Sequence, residues 1–312
     1  MNTPLKPLLQ KDSQILIQGI TGKEGSKALD WILSSGLQVV AGVTPGKGGQ
    51  TVLSEKHGKE IPVFNSVEEA LEAFPDITIS SIYAPPQFVK NAALEAIEQS
   101  INTIHIFAEN VPTQDTLIIL EKALQKNVRV VGPSSIGFAR TGIGAIGSMG
   151  GGSMSGYLQP DSHPSKKGVA ILSKSGGMAN TIANYLSQHS IPQTYIVGIG
   201  GDRLIGTTYA DLLPELIADT QTAAIVVIGE IGGAYEEMLA QEMTKNQQKP
   251  VFAFISGIFA ETLPQGIAFG HAGAIVSKSE GTRAGKIEAL KKAGAQVVSS
   301  PTEIVTALQT IL

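Results

Sequence analysis

The sequence predicts the α/β class, as two successive domains each built on a parallel sheet. Three observations carry this expectation. Apolar runs of strand length alternate with amphipathic stretches of helix length from end to end, the signature of βαβ units. The alternation starts afresh at VAILSKSGG, after a stretch rich in Gly, Ser and Pro. The chain, at 312 residues, exceeds the usual size of one domain. We place the boundary near Gly147, giving domains 1–147 and 148–312.

The first half reads QILIQGI, a helix after Lys23, LQVVAGV, IPVF, a helix over Val67–Ala73, TISSIYA, a helix after Pro86, TIHIFA, a helix after Thr113, and VRVVG. This is a Rossmann-like set. The second half reads VAILSKSGG, a helix near Asn180–Gln188, TYIVGIGG, a helix near Tyr209–Ile217, AAIVVIGEIGG, a helix from Ala234, PVFAFISG, a helix near Gly281–Ala293, and AQVVSS. Five strands with helices between them predict a flavodoxin-like sheet. Between the halves, GIGAIGSMGGGSMSGYLQPDSHPSKKG is too poor in apolar periodicity to be an element. A stretch of this length is either a flexible linker or a loop ordered by a ligand or partner.

Charged residues make up 16% of the chain and hydrophobic residues 42%, against about 25% charged in average domains. The deficit of charged surface points to a buried partner interface. A net charge of -4 without a basic run argues against nucleic acid. The absence of cysteine excludes disulfides, thiolate metal sites and thiol nucleophiles. No apolar run approaches the roughly 18 residues of a membrane span, and the opening MNTPLKPLLQKDSQ lacks the apolar core of a secretory signal. The expectation is a soluble cytoplasmic protein.

Directly after the first strand, GITGKEG places glycines 19, 22 and 25 where a βα turn binds phosphate through backbone N–H groups and a helix N-terminus. The spacing is not that of a dinucleotide fingerprint. The second strand ends in TPGKGG, with Lys47 where a dinucleotide site would carry an acid. A cation there suits a ribose phosphate, as in NADP or coenzyme A.

FGHAGAI sets His271 among small residues after the strand PVFAFISG, hence at the carboxyl edge of the sheet, where α/β ligands bind. SKSGG offers the hydroxyls of Ser173 and Ser175 and the bare amides of Gly176 and Gly177 at a helix start, an anion site. Glu230 ends the strand AIVVIGEIGG. A phosphorylated imidazole needs both, the helix start for phosphate and the carboxylate to accept the other ring N–H. A Ser-His-acid hydrolase is disfavoured, because SKSGG departs from the nucleophile elbow. His57, His105, His163 and His189 show no metal-ligand spacing.

GITGKEG, VTPGKGG, PVFNSVEEA, VVGPSS, SKSGG, GIGGD, IGEIGG and GHAGAI stand in order along nearly the whole chain. On these motifs the chain resembles the alpha subunit of succinyl-CoA synthetase and related NDP-forming acid-CoA ligases, including citryl-CoA synthetase and the matching part of ATP-citrate lyase. The resemblance implies a CoA-binding domain followed by a ligase domain. His271 would be phosphorylated from ATP or GTP and pass the phosphoryl group to a carboxylic acid, and CoA thiol would then take the acyl group. Glu230 would orient His271. Thr21, Gly22, Lys23 and Glu24 would line the CoA site, with Lys47 near its phosphates and Phe107, Ala108 and Glu109 beside the nucleotide. Ser173, Ser175, Gly176, Gly177 and Asn180 would meet phosphate and acid. The nucleotide and its Mg would be held mainly by an ATP-grasp beta subunit, in an αβ or (αβ)2 assembly. Ser134 and Ser135 replace the family's usual Asn-Cys pair, Asn180 lies where a tyrosine is expected, and Asn110 replaces a Gly. SKSGGMAN, AIGSMGGG and GGDR are similar to the citrate branch, whose bulkier acid would use the space left by Gly177 and Asn180, whereas VTPGKGG and the opening loop are similar to the succinate branch, so the resemblance leaves the acid open. A CoA-binding regulatory protein without turnover and an NADP-linked oxidoreductase are the alternatives.

Overall fold

The structure, a computed structural model, describes residues 7–160, 167–245, 248–258 and 281–312. The chain divides into two compact units, one of Met1–Met154 with Leu204–Gly206, the other of Ser155–Arg203 with Thr207–Leu312.

In the first unit, β1 (Gln14–Gln18), α1 (Lys23–Ser34), β2 (Gln38–Val43), β3 (Thr51–Ser54), β4 (Lys59–Phe64), α2 (Val67–Ala73), β5 (Ile77–Ile82), α3 (Pro86–Glu98), β6 (Thr103–Ile106), α4 (Thr113–Lys126) and β7 (Arg129–Val131) follow in sequence. The strands lie in the order β3-β4-β2-β1-β5-β6-β7. Every pair is parallel except β3 with β4. Without β3, this is the Rossmann order, with its topological switch between β1 and β5. Ile15, Leu16 and Ile17 are fully buried on β1, as expected of a central parallel strand covered on both faces. The helix over Val67–Ala73 starts where the Ser66 hydroxyl accepts the Glu69 amide at 3.1 Å.

In the second unit, β10 (Gly168–Ser173), α5 (Gly176–Gln188), β11 (Gln193–Gly198), α6 (Tyr209–Ala218), β12 (Thr222–Gly229), α7 (Tyr235–Met243), β13 (Val251–Ile255), α8 (Arg283–Lys292), β14 (Gln296–Val298) and α9 (Pro301–Leu308) follow. Its five parallel strands run β14-β13-β12-β10-β11, the flavodoxin order, with the switch between β10 and β12. The helix expected near Asn180 begins earlier, at Gly176, because the Ser175 hydroxyl caps it by accepting the Met178 amide at 3.4 Å. Among the described residues no helix is long and apolar enough to cross a membrane.

One expectation is corrected. The stretch from Gly142, judged too poor in pattern to form an element, contributes β9 (Gly144–Gly147), which pairs antiparallel with β8 (Gly137–Arg140), and then a 3-10 turn at Met149–Gly152. Ser35, at the end of α1, clamps the hairpin: its hydroxyl accepts the Ala145 amide at 2.9 Å and donates to the Ala145 carbonyl at 3.2 Å.

Candidate functional site

In the first unit the carboxyl-edge loops meet at the β1–β5 switch. Gly19 has φ +79, and a Cβ on it would sit 3.2 Å from the Tyr83 carbonyl carbon and oxygen in the loop after β5. Gly25, on the first turn of α1, packs against Gly19 so closely that a Cβ would overlap the Gly19 carbonyl. The turn closes through Gly22 N–H donating to the Gly19 carbonyl at 3.0 Å. Gly22 is also the N-cap of α1, and it brings no side-chain oxygen to the helix tip. The tip therefore offers backbone N–H groups and a positive dipole end to an anion.

Thr21, Gly22 and Lys23 are exposed, and Glu24 pairs with Lys27 at 3.0 Å on the surface. Thr21 hydroxyl donates to Thr44 Oγ1 at 3.2 Å, joining the loop after β1 to the loop after β2, which carries exposed Lys47. That second loop is shaped by Asn65, whose Oδ1 accepts the amides of Gly46 and Gly48 at 3.0 Å each. Phe107 follows β6, with its ring centroid 5.2 Å from that of Tyr83. Thr21–Glu24, Lys47 and Phe107–Glu109 thus stand on neighbouring loops of one sheet edge. Exposed lysines beside a bare helix tip, with a half-buried aromatic ring further along, suit a phosphorylated ligand with a planar base.

Asn110 has φ +58, in the left-handed region that Gly and Asn enter at least cost. Asn for Gly at 110 is therefore conformationally conservative. Ser134 stands in the same region at φ +59, and nothing in the structure explains Ser in place of Asn there. Ser135 is buried, and its hydroxyl accepts the Gly137 amide at 3.0 Å. Below it, His105 is fully buried, with Nδ1 2.8 Å from the Ser81 hydroxyl and Nε2 donating to the Ser135 carbonyl at 3.0 Å. Burial pushes the His105 imidazole down to about 4, against a smaller upward pull from that carbonyl.

In the second unit the β10–β12 switch brings together Ser173, Ser175, Gly176, Gly177 and Glu230. Ser173 hydroxyl donates to the Ser175 carbonyl at 2.8 Å. Gly177 is exposed, and a Cβ on it would meet nothing within 4 Å. Asn180, a turn further along α5, accepts the Tyr157 hydroxyl through Oδ1. Glu230 follows β12 and forms an ion pair with Lys174, 2.9 Å from Oε1 to Nζ. His271 lies outside the described residues. The described flanks of its segment both reach the Glu230 loop: Ser256 donates to the Gly229 carbonyl through its amide at 2.9 Å and its hydroxyl at 3.0 Å, and Gly232 N–H donates to the Gly281 carbonyl at 2.8 Å.

Sequence reasoning missed the buried charges of this loop. In the sequence Lys174 stands between two serines, whose hydroxyls are the more obvious anion ligands. Glu236, fully buried on α7, accepts the Glu230 amide at 3.1 Å and is ion-paired with buried Lys286 of α8, which also reaches Glu237 at 3.3 Å. A Cβ on Gly229 would lie 2.6 Å from Glu236 Oε1, so the glycine makes room for that carboxylate. A sequence signal existed in the glutamate pair four residues past Gly232, but nothing local joins it to a lysine on another helix.

Comparison with known proteins identifies the family. Residues 10–110 match the family model of the CoA binding domain and residues 172–310 that of CoA-ligase. Over 300 residues the chain is 39% identical to the alpha subunit of ADP-forming succinate-CoA ligase from Aquifex aeolicus, covering 95% of this chain and 92% of that one. The corresponding subunit of Methanothermobacter thermautotrophicus is 41% identical over 299 residues, covering 96% and 94%. An ADP-forming sulfoacetate-CoA ligase subunit, SauD of Bilophila wadsworthia, is 37% identical over 305 residues, covering 97% and 98%. In fold the chain is similar to ATP citrate lyase from Methanothrix soehngenii, with a TM-score of 0.85 at 24% identity over 98% of this chain, which spans half the length of that one. A glycine-cradled helix tip in one unit, a charged switch point in the other and full-length identity near 40% converge: the chain belongs to the CoA-ligase family, among the alpha subunits of ADP-forming acid-CoA ligases.

Proposed function

We propose that the chain is the phosphoryl-carrying alpha subunit of an acid-CoA ligase, with His271 as the nucleophile and Glu230 as its orienting carboxylate. The observation that carries this is the pinning of Ser256 and Gly281, the two described flanks of the His271 segment, to the loop that presents Glu230. It supports an imidazole held within reach of that carboxylate and of the α5 tip. The imidazole nitrogen attacks the γ-phosphorus of a nucleoside triphosphate, the bond to the β-phosphate oxygen breaks, and the diphosphate leaves. A substrate carboxylate oxygen then takes the phosphoryl group and frees the imidazole. CoA thiolate attacks the acyl carbon of the acyl phosphate, and inorganic phosphate departs. Glu230 accepts the second ring N–H and stabilises the cationic form as charge develops. The helix tip at Ser175–Gly177 receives the phosphoryl oxygens.

Thr21–Glu24, Lys47 and Phe107–Glu109 bind CoA at the β1–β5 switch. A beta subunit of ATP-grasp type supplies the nucleotide site and its Mg, in an αβ or (αβ)2 assembly. The acid is a small carboxylate of succinate or sulfoacetate size, a reading supported by the likeness of the whole chain, at 37–41% identity, to succinate-CoA and sulfoacetate-CoA ligase subunits. The test is incubation of the chain and its partner with labelled ATP, followed by a panel of succinate, malate, sulfoacetate and citrate. Label is expected in wild type and absent from His271→Ala; label surviving that substitution rejects the nucleophile, and citrate as the preferred discharging acid rejects the small-acid reading.

A further inference from the structure

One buried cation at the β10–β12 crevice takes no part in the steps above. Lys174 directly follows β10, its side chain is 1% exposed, and its Nζ lies 2.9 Å from Glu230 Oε1. The Tyr235 ring stands beside it, 5.6 Å from Nζ to the centroid. Its backbone is fixed separately. Lys174 N–H donates to Tyr209 Oη at 3.0 Å, and that hydroxyl donates to the Ile228 carbonyl at 2.9 Å, on β12, the strand that Glu230 follows. Tyr209 is fully buried, and burial first, then the carboxylates of Glu236 and Glu230, push its phenol well above the ordinary range, so it stays a donor.

A lysine with no exposed surface is a costly way to fill space, since a packed apolar side chain of similar volume does so without desolvating a charge. Among the described residues, the carboxylate paired with its ammonium is that of Glu230. We propose that Lys174 is the positioning residue of Glu230: it holds one carboxylate oxygen across the crevice from β10 to β12 and thereby fixes the direction in which the carboxylate meets an incoming donor. The inference rests on the assignment of Glu230 as the orienting carboxylate. It adds that Glu230 is aimed from two sides, at its side chain by Lys174 and at its amide by Glu236, which accepts that N–H at 3.1 Å. Lys174 touches no reacting atom in this scheme and acts through Glu230 alone.

The experiment is a double-mutant cycle on the full chain with its partner subunit, comparing wild type, Lys174→Met, Glu230→Gln and the double variant. The readouts are the single-turnover rate of label transfer from ATP to the chain and CoA affinity by calorimetry. Lys174→Met is expected to slow labelling by about 10²-fold, the scale of a small misplacement at a reacting centre, while CoA affinity stays within about twofold, on the order of 0.4 kcal/mol. In the Glu230→Gln background the same change is expected to cost less than about twofold. Labelling within twofold of wild type in Lys174→Met overturns the proposal, as does a full loss repeated on top of Glu230→Gln, which marks a merely structural lysine. Should Lys174→Met fail to fold, the double variant against Glu230→Gln decides: equal rates support positioning, and a slower double variant rejects it. A wild-type chain that takes no label rejects the ligase assignment along with this inference, whereas labelled wild type with multiplying losses rejects this inference alone.

Discussion

The two units place a βα turn at the same topological position and equip it in opposite ways. At the β1–β5 switch the working groups are backbone: glycines 19, 22 and 25 press the chain together, and the charges, Lys23, Glu24 and Lys47, stand in solvent. At the β10–β12 switch the charges are inside: Lys174 with Glu230, and Lys286 with Glu236 behind them. The difference fits the roles proposed for the two sites. A large anionic ligand would need many amides and room to approach, whereas a carboxylate to be aimed at one atom would need fixed partners in a medium that strengthens their attraction.

Breaking the buried side of this contrast has the largest expected effect. Lys286→Met strands the Glu236 carboxylate in the interior and is expected to cost about 3–5 kcal/mol, measured by denaturant unfolding; adding Glu236→Gln should recover most of it. Recovery below half would mean that packing, not charge, dominates the pair. Next comes the one strongly shifted histidine of the first unit. His105 titrates at about 4 when folded, against 6.5 ordinarily, so between those values the unfolded chain binds the extra proton. Its contribution is complete above pH 6.5 and is lost as pH falls toward 4, up to roughly 3 kcal/mol in all. His105→Gln should flatten that part of the stability–pH curve, and an unchanged slope refutes the assignment. The smallest test compares two glycines in the first turns of α1 and α5. Gly25→Ala meets the Gly19 carbonyl and should destabilise by about 1–3 kcal/mol, with weaker CoA binding. Gly177→Ala meets nothing and should stabilise by roughly 0.5–1 kcal/mol; melting temperatures moving the same way in both would erase the distinction.

The parallel sheets and their helices were legible because buried strands and amphipathic helices leave long local patterns, as at Val67–Ala73, where pattern and structure share both ends. The first-unit loop was legible because glycine spacing is itself local. What escaped has nonlocal causes. The antiparallel β3 at the sheet edge carries too few buried residues to stand out, with Thr51 and Leu53 exposed. The β8–β9 hairpin hides its alternation in glycines that make close backbone contacts. Lys174, Glu236 and Lys286 are conspicuous only once folding sets charges from different helices and loops against one another.

That hairpin carries a practical warning. Composition marks the stretch around Gly144 as the place to splice in a tag or shorten the chain. Yet a methyl on Gly137 would overlap the Ile146 carbonyl and one on Gly147 the Ile136 carbonyl, while one on Gly144 would lie 2.5 Å from Leu37 Cγ. The β8–β9 hairpin, which looks dispensable on paper, leaves no room for a side chain at these three glycines, and an engineer seeking a permissive insertion point should look elsewhere.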